Sequence, residues 1–265
     1  MGRLAVGIEY DGAAFHGWQR QAHCHAVQPA VEAALASVAG HAVSLTIAGR
    51  TDAGVHARAQ VAHFDTEAQR PERGWVLGTN SALPPTVSLR WARAVPAHFH
   101  ARYSAVARTY RYFILNRAVR SALAAGRCHV VFPPLEVALM QAAAHLLEGE
   151  HDFSAFRAAE CQARSPVRRL ESLRVWREGD WVRVEARANA FLHHMVRNII
   201  GLLLVVGRGA APPERAREQL ESRDRRSGAP TAPADGLYFW QAHYPAQFGL
   251  PDDSAIISAP ELPAG

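Results

Sequence analysis

Apolar residues recur with two different periods along the chain, and these periods predict its strands and helices. Alternation over residues 3–10 predicts a first strand, whereas an apolar residue every three or four positions over 29–39 predicts a helix. The same two patterns mark the remaining elements. Further strands are predicted at 45–48, 59–65, 87–92, 107–115, 172–177, 181–188 and 237–244, and further helices at 135–148, 191–206 and 214–222.

Both halves of the chain mix strands and helices in similar proportion. This mixture is typical of an α+β protein with antiparallel sheet. We predict an N-terminal half over 1–106, a C-terminal half over 107–248 and a proline-rich surface tail over 249–265.

Length and composition exclude several classes of protein. The chain has 265 residues, of which 49% are apolar and 20% charged, as in an ordinary globular protein. Because no apolar run reaches about 18 residues, we expect no membrane span. The N-terminal residues lack the long apolar stretch of a secretory signal, so we expect a cytoplasmic protein.

Cysteine and histidine are placed in patterns that favour neither disulfides nor a metal. The three cysteines are scattered and none belongs to a C-x-x-C pair. The adjacent histidines at 193 and 194, like the other close histidine pairs, lack the spaced second half of a zinc site. We therefore expect no bound metal.

The charge of the chain is unevenly distributed. Its 29 basic residues are all arginine, against 24 acidic residues. Residues 73–135 contain nine arginines and no acid, whereas the rest of the chain carries 20 arginines and 24 acids. Aromatic residues are interleaved with these arginines: Trp75, Trp91, Phe99, Tyr103, Tyr110, Tyr112 and Phe113. Cations and flat rings together favour a nucleic-acid face, the alternative being core aromatics beneath a solvated arginine surface.

A loop over residues 49–56 places one carboxylate among possible cations. Asp52 follows Arg50, precedes His56 and lies between two glycines after an apolar strand. Opposite charge and hydrogen bonds keep such a carboxylate ionised, as a nucleophile or an electrostatic stabiliser requires. A turn-capping aspartate beside Gly54 is the alternative interpretation.

The predicted helix over 191–206 is apolar nearly all round, which indicates a buried helix. His193 and Arg197, four residues apart, would share one face of it. A guanidinium in a core needs an acidic partner. Asp52 is the first candidate for that partner, and the alternatives are Glu185 or a side chain that reaches solvent.

At these residues the chain resembles the tRNA pseudouridine synthase A family. The resemblance covers residue 4 to about residue 251. Its main motifs are Gly49-Arg-Thr-Asp-Ala-Gly-Val-His-Ala57, Arg108-Thr-Tyr-Arg-Tyr112 and Asn189-Ala-Phe-Leu-His-His-Met-Val-Arg-Asn-Ile-Ile-Gly201. Shorter stretches in the same order include Tyr10-Asp-Gly and Phe99-His-Ala-Arg102.

The resemblance implies a fold, an activity and site residues. The fold would be two RRM-like halves that form one curved antiparallel sheet flanked by helices. Asp52 would be the catalytic nucleophile, Arg197 its ion-pair partner and Tyr110 the residue packed against the uracil, while Arg50 and His56 become candidates for handling the flipped nucleotide. The implied enzyme is a homodimeric isomerase that converts uridine to pseudouridine at positions 38, 39 and 40 of the tRNA anticodon arm, without metal or cofactor.

Several alternatives stay open from the sequence. Asp52 would attack uracil C6, attack ribose C1′, or remove a ribose proton to give a glycal-like intermediate. A non-catalytic RNA-binding protein with RRM-like halves would explain the basic aromatic stretch, although it leaves residues 49–56 without a role. A metal-dependent phosphoryl hydrolase would need further carboxylates or clustered histidines near Asp52.

Overall fold

The structure is a computed structural model that describes residues 2–251. The strands it contains are β1 (Gly2–Tyr10), β2 (Thr46–Ile47), β3 (His56–Thr66), β4 (Val87–Val95), β5 (Ala107–Asn116), β6 (His129–Val131), β7 (Gly149–Asp152), β8 (Val167–Glu178), β9 (Trp181–Ala188) and β10 (Leu237–His243). The α-helices are α1 (Val27–Ala39), α2 (Glu72–Ala82), α3 (Val137–His145), α4 (Met195–Gly207) and α5 (Arg215–Ser222). This confirms the α+β class with mostly antiparallel strands and flanking helices.

The described chain divides into two compact units. The first comprises residues 2–106 together with 238–251, and the second comprises 107–237. The predicted halves differ from this division in one respect: from Tyr238 onward the chain belongs to the first unit, because β10 pairs in parallel with β3 there. Residues 252–265 of the predicted tail lie outside the described residues.

In the first unit, β1 lies between β3 and β4 and is antiparallel to both. Val6 stands opposite Ala62 on one side and Ala92 on the other. The chain order β1-α1-β2-β3-α2-β4 is the split β-α-β arrangement of RRM-like domains. Helix α2 packs on both α1 and β4. Strand β3 is buried along almost its entire length, so both of its faces are covered.

In the second unit, β9 lies between β5 and β8 and is antiparallel to both. β7 continues the sheet beyond β8, and β6 pairs in parallel with β5. Helix α3 packs against β8 and α4. Helix α4 is buried over most of its surface, as its apolar sequence predicts.

Some elements are absent from the sequence prediction. Helix α2 contains two glycines and buries only Trp75 and Thr79, so its apolar period is too weak to identify. Strands β6 and β7 are three and four residues long. Within residues 2–251, no helix combines the length and the hydropathy that crossing a membrane requires.

Candidate active site

The loop between β2 and β3 is fixed by two buried side chains, which bind it at Gly49 and at Thr51. The hydroxyl groups of Tyr10 and Thr51 lie 2.7 Å apart. The side-chain amide of Gln60 donates to the carbonyl oxygen of Gly49 at 2.7 Å. Asp52, which directly follows the second of these anchored residues, is half-buried. The loop therefore holds the backbone of the aspartate while its carboxylate keeps access to solvent.

Tyr10 anchors this loop as a neutral phenol. Its ring lies in the core of the first unit, and burial raises its pKa to about 12, against smaller opposing effects of hydrogen bonds with Thr51 and Gln60. The hydroxyl therefore keeps its proton at neutral pH. Tyr10 and Gln60 were not identified as site residues from the sequence. Tyr10 lies in a motif stretch, but a hydrogen bond between residues far apart in the chain leaves no spacing signal.

Two glycines let a neighbouring segment approach the backbone of the aspartate loop. Gly17 has φ +90°, and a Cβ there would lie 2.7 Å from the carbonyl oxygen of Thr51. A Cβ on Gly12 would lie 2.1 Å from the carbonyl oxygen of Val55. The segment is also bonded to the loop, since the Trp18 amide donates to the Thr51 carbonyl at 3.1 Å. The aspartate loop is thus packed against backbone that only glycine allows.

His56 lies beneath the loop at the start of β3. It is 2% exposed, and its Nδ1 accepts a hydrogen bond from the Gly12 amide at 3.0 Å. Asp11 Oδ1 is 3.1 Å from the same nitrogen. The His56 ring stacks on Tyr238 of β10, with centroids 4.5 Å apart.

The N-terminal boundary of α4 corrects the predicted helix over 191–206. The helix begins at Met195, and His194 precedes it with a left-handed φ of 60°. His193 belongs to the turn before the helix, so the expectation that His193 and Arg197 share one helical face is wrong. The helix starts late because the carbonyl of His193 accepts a hydrogen bond from the Ala158 amide, which holds this segment in a turn.

Arg197 lies in the first turn of α4 and is bonded to the segment before β10. Its Nε donates to the carbonyl of Ala232 at 2.8 Å, and the Ala232 amide donates back to the Arg197 carbonyl. Glu185, an alternative partner of Arg197, forms an ion pair with Arg111 at 2.6 Å. The guanidinium of Arg197 is therefore oriented by backbone within its own unit.

The segment that orients Arg197 is itself held by α4. Asn198 is buried, accepts from the Thr231 hydroxyl at 2.7 Å and donates to the Phe156 carbonyl at 2.8 Å. At Gly201 a Cβ would lie 1.9 Å from the carbonyl oxygen of Pro230. The lack of a side chain at Gly201 is what allows the segment to lie this close to the helix.

Tyr110 extends from β5 in the second unit. It is 9% exposed, and its ring meets Phe191 edge to face with centroids 5.0 Å apart. Arg50, by contrast, is exposed on the aspartate loop of the first unit. These two site candidates therefore differ in how readily solvent reaches them.

The aromatic residues of the basic stretch over 73–135 are mostly buried, which corrects the expectation that they form a nucleic-acid face together with its arginines. Six of the seven aromatic residues named in the sequence analysis are buried: Trp75, Trp91, Phe99, Tyr110, Tyr112 and Phe113. Acids from elsewhere in the chain lie close to several arginines of the stretch. For example, the Asp180 carboxylate is 3.6 Å from the Arg117 guanidinium. Tyr103 alone among the seven is exposed.

Comparison with known proteins identifies the family. A family model described as tRNA pseudouridine synthase matches residues 7–104 and 143–245. Proteins named "tRNA pseudouridine synthase A" are 53% identical over 97% of this chain in Ralstonia nicotianae and 54% identical over 97% in Methylococcus capsulatus. The matches cover 96% and 95% of those two relatives. A relative of the same name from Thiobacillus denitrificans is 53% identical over 96% of this chain and 98% of its own.

The match defines an RNA-modifying isomerase of the α+β class. The chain belongs to the tRNA pseudouridine synthase family, which confirms the resemblance found in its motifs.

Proposed function

We propose that this chain converts uridine to pseudouridine at positions 38, 39 and 40 of the tRNA anticodon arm, with Asp52 as the nucleophile. The fixed loop around Asp52 is the observation that supports this most. Thr51 and Gly49 are anchored to buried side chains, whereas Asp52 is only half-buried. A carboxylate nucleophile needs a fixed position together with access to its substrate.

The reaction rearranges atoms without net oxidation or hydrolysis. The bond from uracil N1 to ribose C1′ breaks, and a bond from uracil C5 to C1′ forms. The proton lost from C5 is balanced by one gained at N1. Because nothing is added or removed, the chemistry requires no cofactor. Attack at C6, attack at C1′ and formation of a glycal-like intermediate each need Asp52 ionised.

The target base must leave the RNA stack before Asp52 can reach it. Extrusion costs a few kcal/mol, which stacking and phosphate contacts offset. In this proposal the exposed Arg50 contacts the extruded nucleotide and Tyr110 packs against the uracil. His56, buried under the loop, holds the loop from beneath. Arg197 is the partner that keeps Asp52 ionised.

The proposal includes the setting in which the enzyme works. It is a cytoplasmic homodimer that acts on tRNA and uses no metal. The homodimer and the lack of a metal follow from the resemblance, and the cytoplasmic location follows from the N-terminal sequence. Fractionation, sedimentation and chelation measure these properties directly.

The test is a modification assay on an unmodified tRNA transcript with EDTA present. Pseudouridine is mapped by carbodiimide treatment and primer extension. We expect stops at 38–40 from the wild type and from Asp180→Asn, a control carboxylate in the β8–β9 turn. Asp52→Asn and Asp52→Ala should give no stops while still binding the tRNA.

Three outcomes would contradict parts of this proposal. Stops from Asp52→Ala would remove Asp52 from the mechanism. Loss of wild-type activity in EDTA would indicate a metal. Tight binding by the wild type without stops on any tRNA would favour the alternative, a non-catalytic RNA-binding protein.

A further inference from the structure

The turn over residues 99–104, here named the Tyr103 turn, is held rigidly after β4. The Ser104 amide donates to the His100 carbonyl at 2.8 Å, and the His100 amide donates to the Ser104 hydroxyl at 2.9 Å. The Tyr244 hydroxyl donates to the carbonyl of Ala101 at 2.6 Å. The Ala101 amide donates to Nδ1 of the buried His63. The tip of the turn is therefore fixed to the core of the first unit.

This rigid turn presents an aromatic ring to solvent. Tyr103 is 75% exposed, whereas six other aromatic residues of the basic stretch are buried. One neighbour supports its ring: His100 stacks on it with centroids 4.3 Å apart and an interplanar angle of 30°. The guanidinium carbon of the exposed Arg102 lies 5.6 Å from the ring centroid. A flat ring and a cation are thus preorganised side by side.

His100 supports the ring as a neutral imidazole. Its Nδ1 accepts from the amides of Arg102 and Tyr103 at 3.1 and 3.2 Å. Partial burial, and then the charge of Arg3, lower the pKa of His100. The stacked pair is consequently the same throughout the neutral range of pH.

Packing among residues 2–251 does not account for this arrangement. A tyrosine that is mostly exposed buries little apolar area, and fixing a turn costs conformational entropy. An exposed ring beside an arginine is the combination that binds unpaired nucleotides, because the ring stacks on a base and the guanidinium holds a phosphate.

We propose that the Tyr103 turn is a second RNA contact of the enzyme, in which an unpaired base of the tRNA stacks on Tyr103 and Arg102 binds a neighbouring phosphate. The site is separate in sequence from the aspartate loop. The choice of tRNA as ligand rests on the proposed function, whereas the stacking chemistry does not.

Equilibrium binding to an unmodified tRNA transcript tests the contact. We expect Tyr103→Ala to raise Kd about tenfold, the effect of losing one base–aromatic stack. Tyr103→Phe keeps the ring and should restore binding to within about twofold of the wild type. Arg102→Ala should reduce the slope of log Kd against log salt by about one. Leu123→Ala, an exposed apolar residue of the second unit, is the matched control and should leave Kd unchanged.

A crosslinking experiment on the wild type gives an answer that does not depend on folding of the variants. With 4-thiouridine in the transcript, irradiation should attach RNA to the peptide that contains Tyr103. An unchanged Kd for Tyr103→Ala together with no crosslink in this peptide would overturn the proposal. A loss of binding in Tyr103→Ala would also overturn the proposal if sedimentation showed a change in oligomeric state. The turn would then contact a second copy of the chain. Absence of pseudouridine from the wild-type reaction would overturn the proposed function alone.

Discussion

The hydroxyl groups of Tyr10 and Thr51 lie 2.7 Å apart, although the two residues are 41 positions apart in the chain. Thr51 directly precedes Asp52, so a residue at the end of β1 determines where the aspartate backbone lies. The contact is buried, and a hydroxyl left there without a partner costs about 1–3 kcal/mol. Stability and activity are therefore linked through one hydrogen bond.

Tyr10→Phe tests that link. We expect the free energy of unfolding to fall by about 1–2 kcal/mol and kcat to fall roughly tenfold or more, because Thr51 loses its partner and the loop shifts. Tyr112→Phe is the matched control, since its buried hydroxyl donates to the Pro233 carbonyl at 2.9 Å. Denaturant unfolding and single-turnover kinetics measure both effects. Equal losses of kcat in the two variants would show that the hydroxyl of Tyr10 has no special role.

Gly17→Ala tests the close approach to the aspartate loop. The new Cβ would lie 2.7 Å from the Thr51 carbonyl oxygen, so we expect a loss of both stability and kcat. Gly40→Ala separates backbone strain from collision, because Gly40 has φ +76° and nothing lies within 4 Å of its Cβ position. That control should lose about 1 kcal/mol of stability and keep its kcat. A Gly17→Ala enzyme with wild-type kcat would contradict the steric argument.

The pairing of Arg197 with Asp52, which the resemblance implies, is tested by a thermodynamic cycle. Arg197→Met removes the donor to the Ala232 carbonyl and should lower the free energy of unfolding by about 1–3 kcal/mol. If the two side chains pair, the cycle with Asp52→Asn should give a coupling energy of about 1 kcal/mol or more. Single effects that add to within about 0.5 kcal/mol would mean that Arg197 acts through Ala232 instead.

Stability should depend on pH through His63. Burial, and then the charge of Arg3, lower the pKa of this histidine to about 4. The unfolded chain, where the pKa is about 6.5, therefore binds more protons between pH 6.5 and 4, and stability falls as the pH falls through that range. From pH 7 to pH 5 the contribution is about 2 kcal/mol.

His63→Gln keeps an acceptor side chain and removes the titration. Guanidinium unfolding at several pH values should show a shallower pH dependence in this variant than in the wild type. Parallel curves for the two proteins would assign the acid sensitivity to other groups.

The sequence predicted the elements with a clear apolar period and missed those without one. β9 was predicted with its observed bounds, Trp181–Ala188, because residues 182–188 alternate between apolar and polar. Helix α2 was not predicted because its glycines and polar residues interrupt the apolar period of a helix. The start of α4 was placed too early because the apolar pattern continues through residues that a hydrogen bond from Ala158 holds in a turn.

The candidate site was partly visible in the sequence for a related reason. Asp52, Arg50 and His56 fall in one loop, which a motif can reveal. Tyr10 and Gln60 reach the loop across the sheet, and that contact depends on register rather than spacing. Composition was least informative about exposure. The aromatics of residues 73–135 suggested a binding face, yet most of them are buried, because Trp75 and Phe99 lie in the core and β5 is covered on both faces.

Strand β10 has a consequence for how the protein is made. It pairs with β3, and its Tyr238 covers His56 at the base of the aspartate loop. The ribosome has synthesised more than 230 residues before this strand exists. The first unit therefore cannot complete its structure early in translation, and the loop that carries Asp52 acquires its final support only when synthesis is nearly finished.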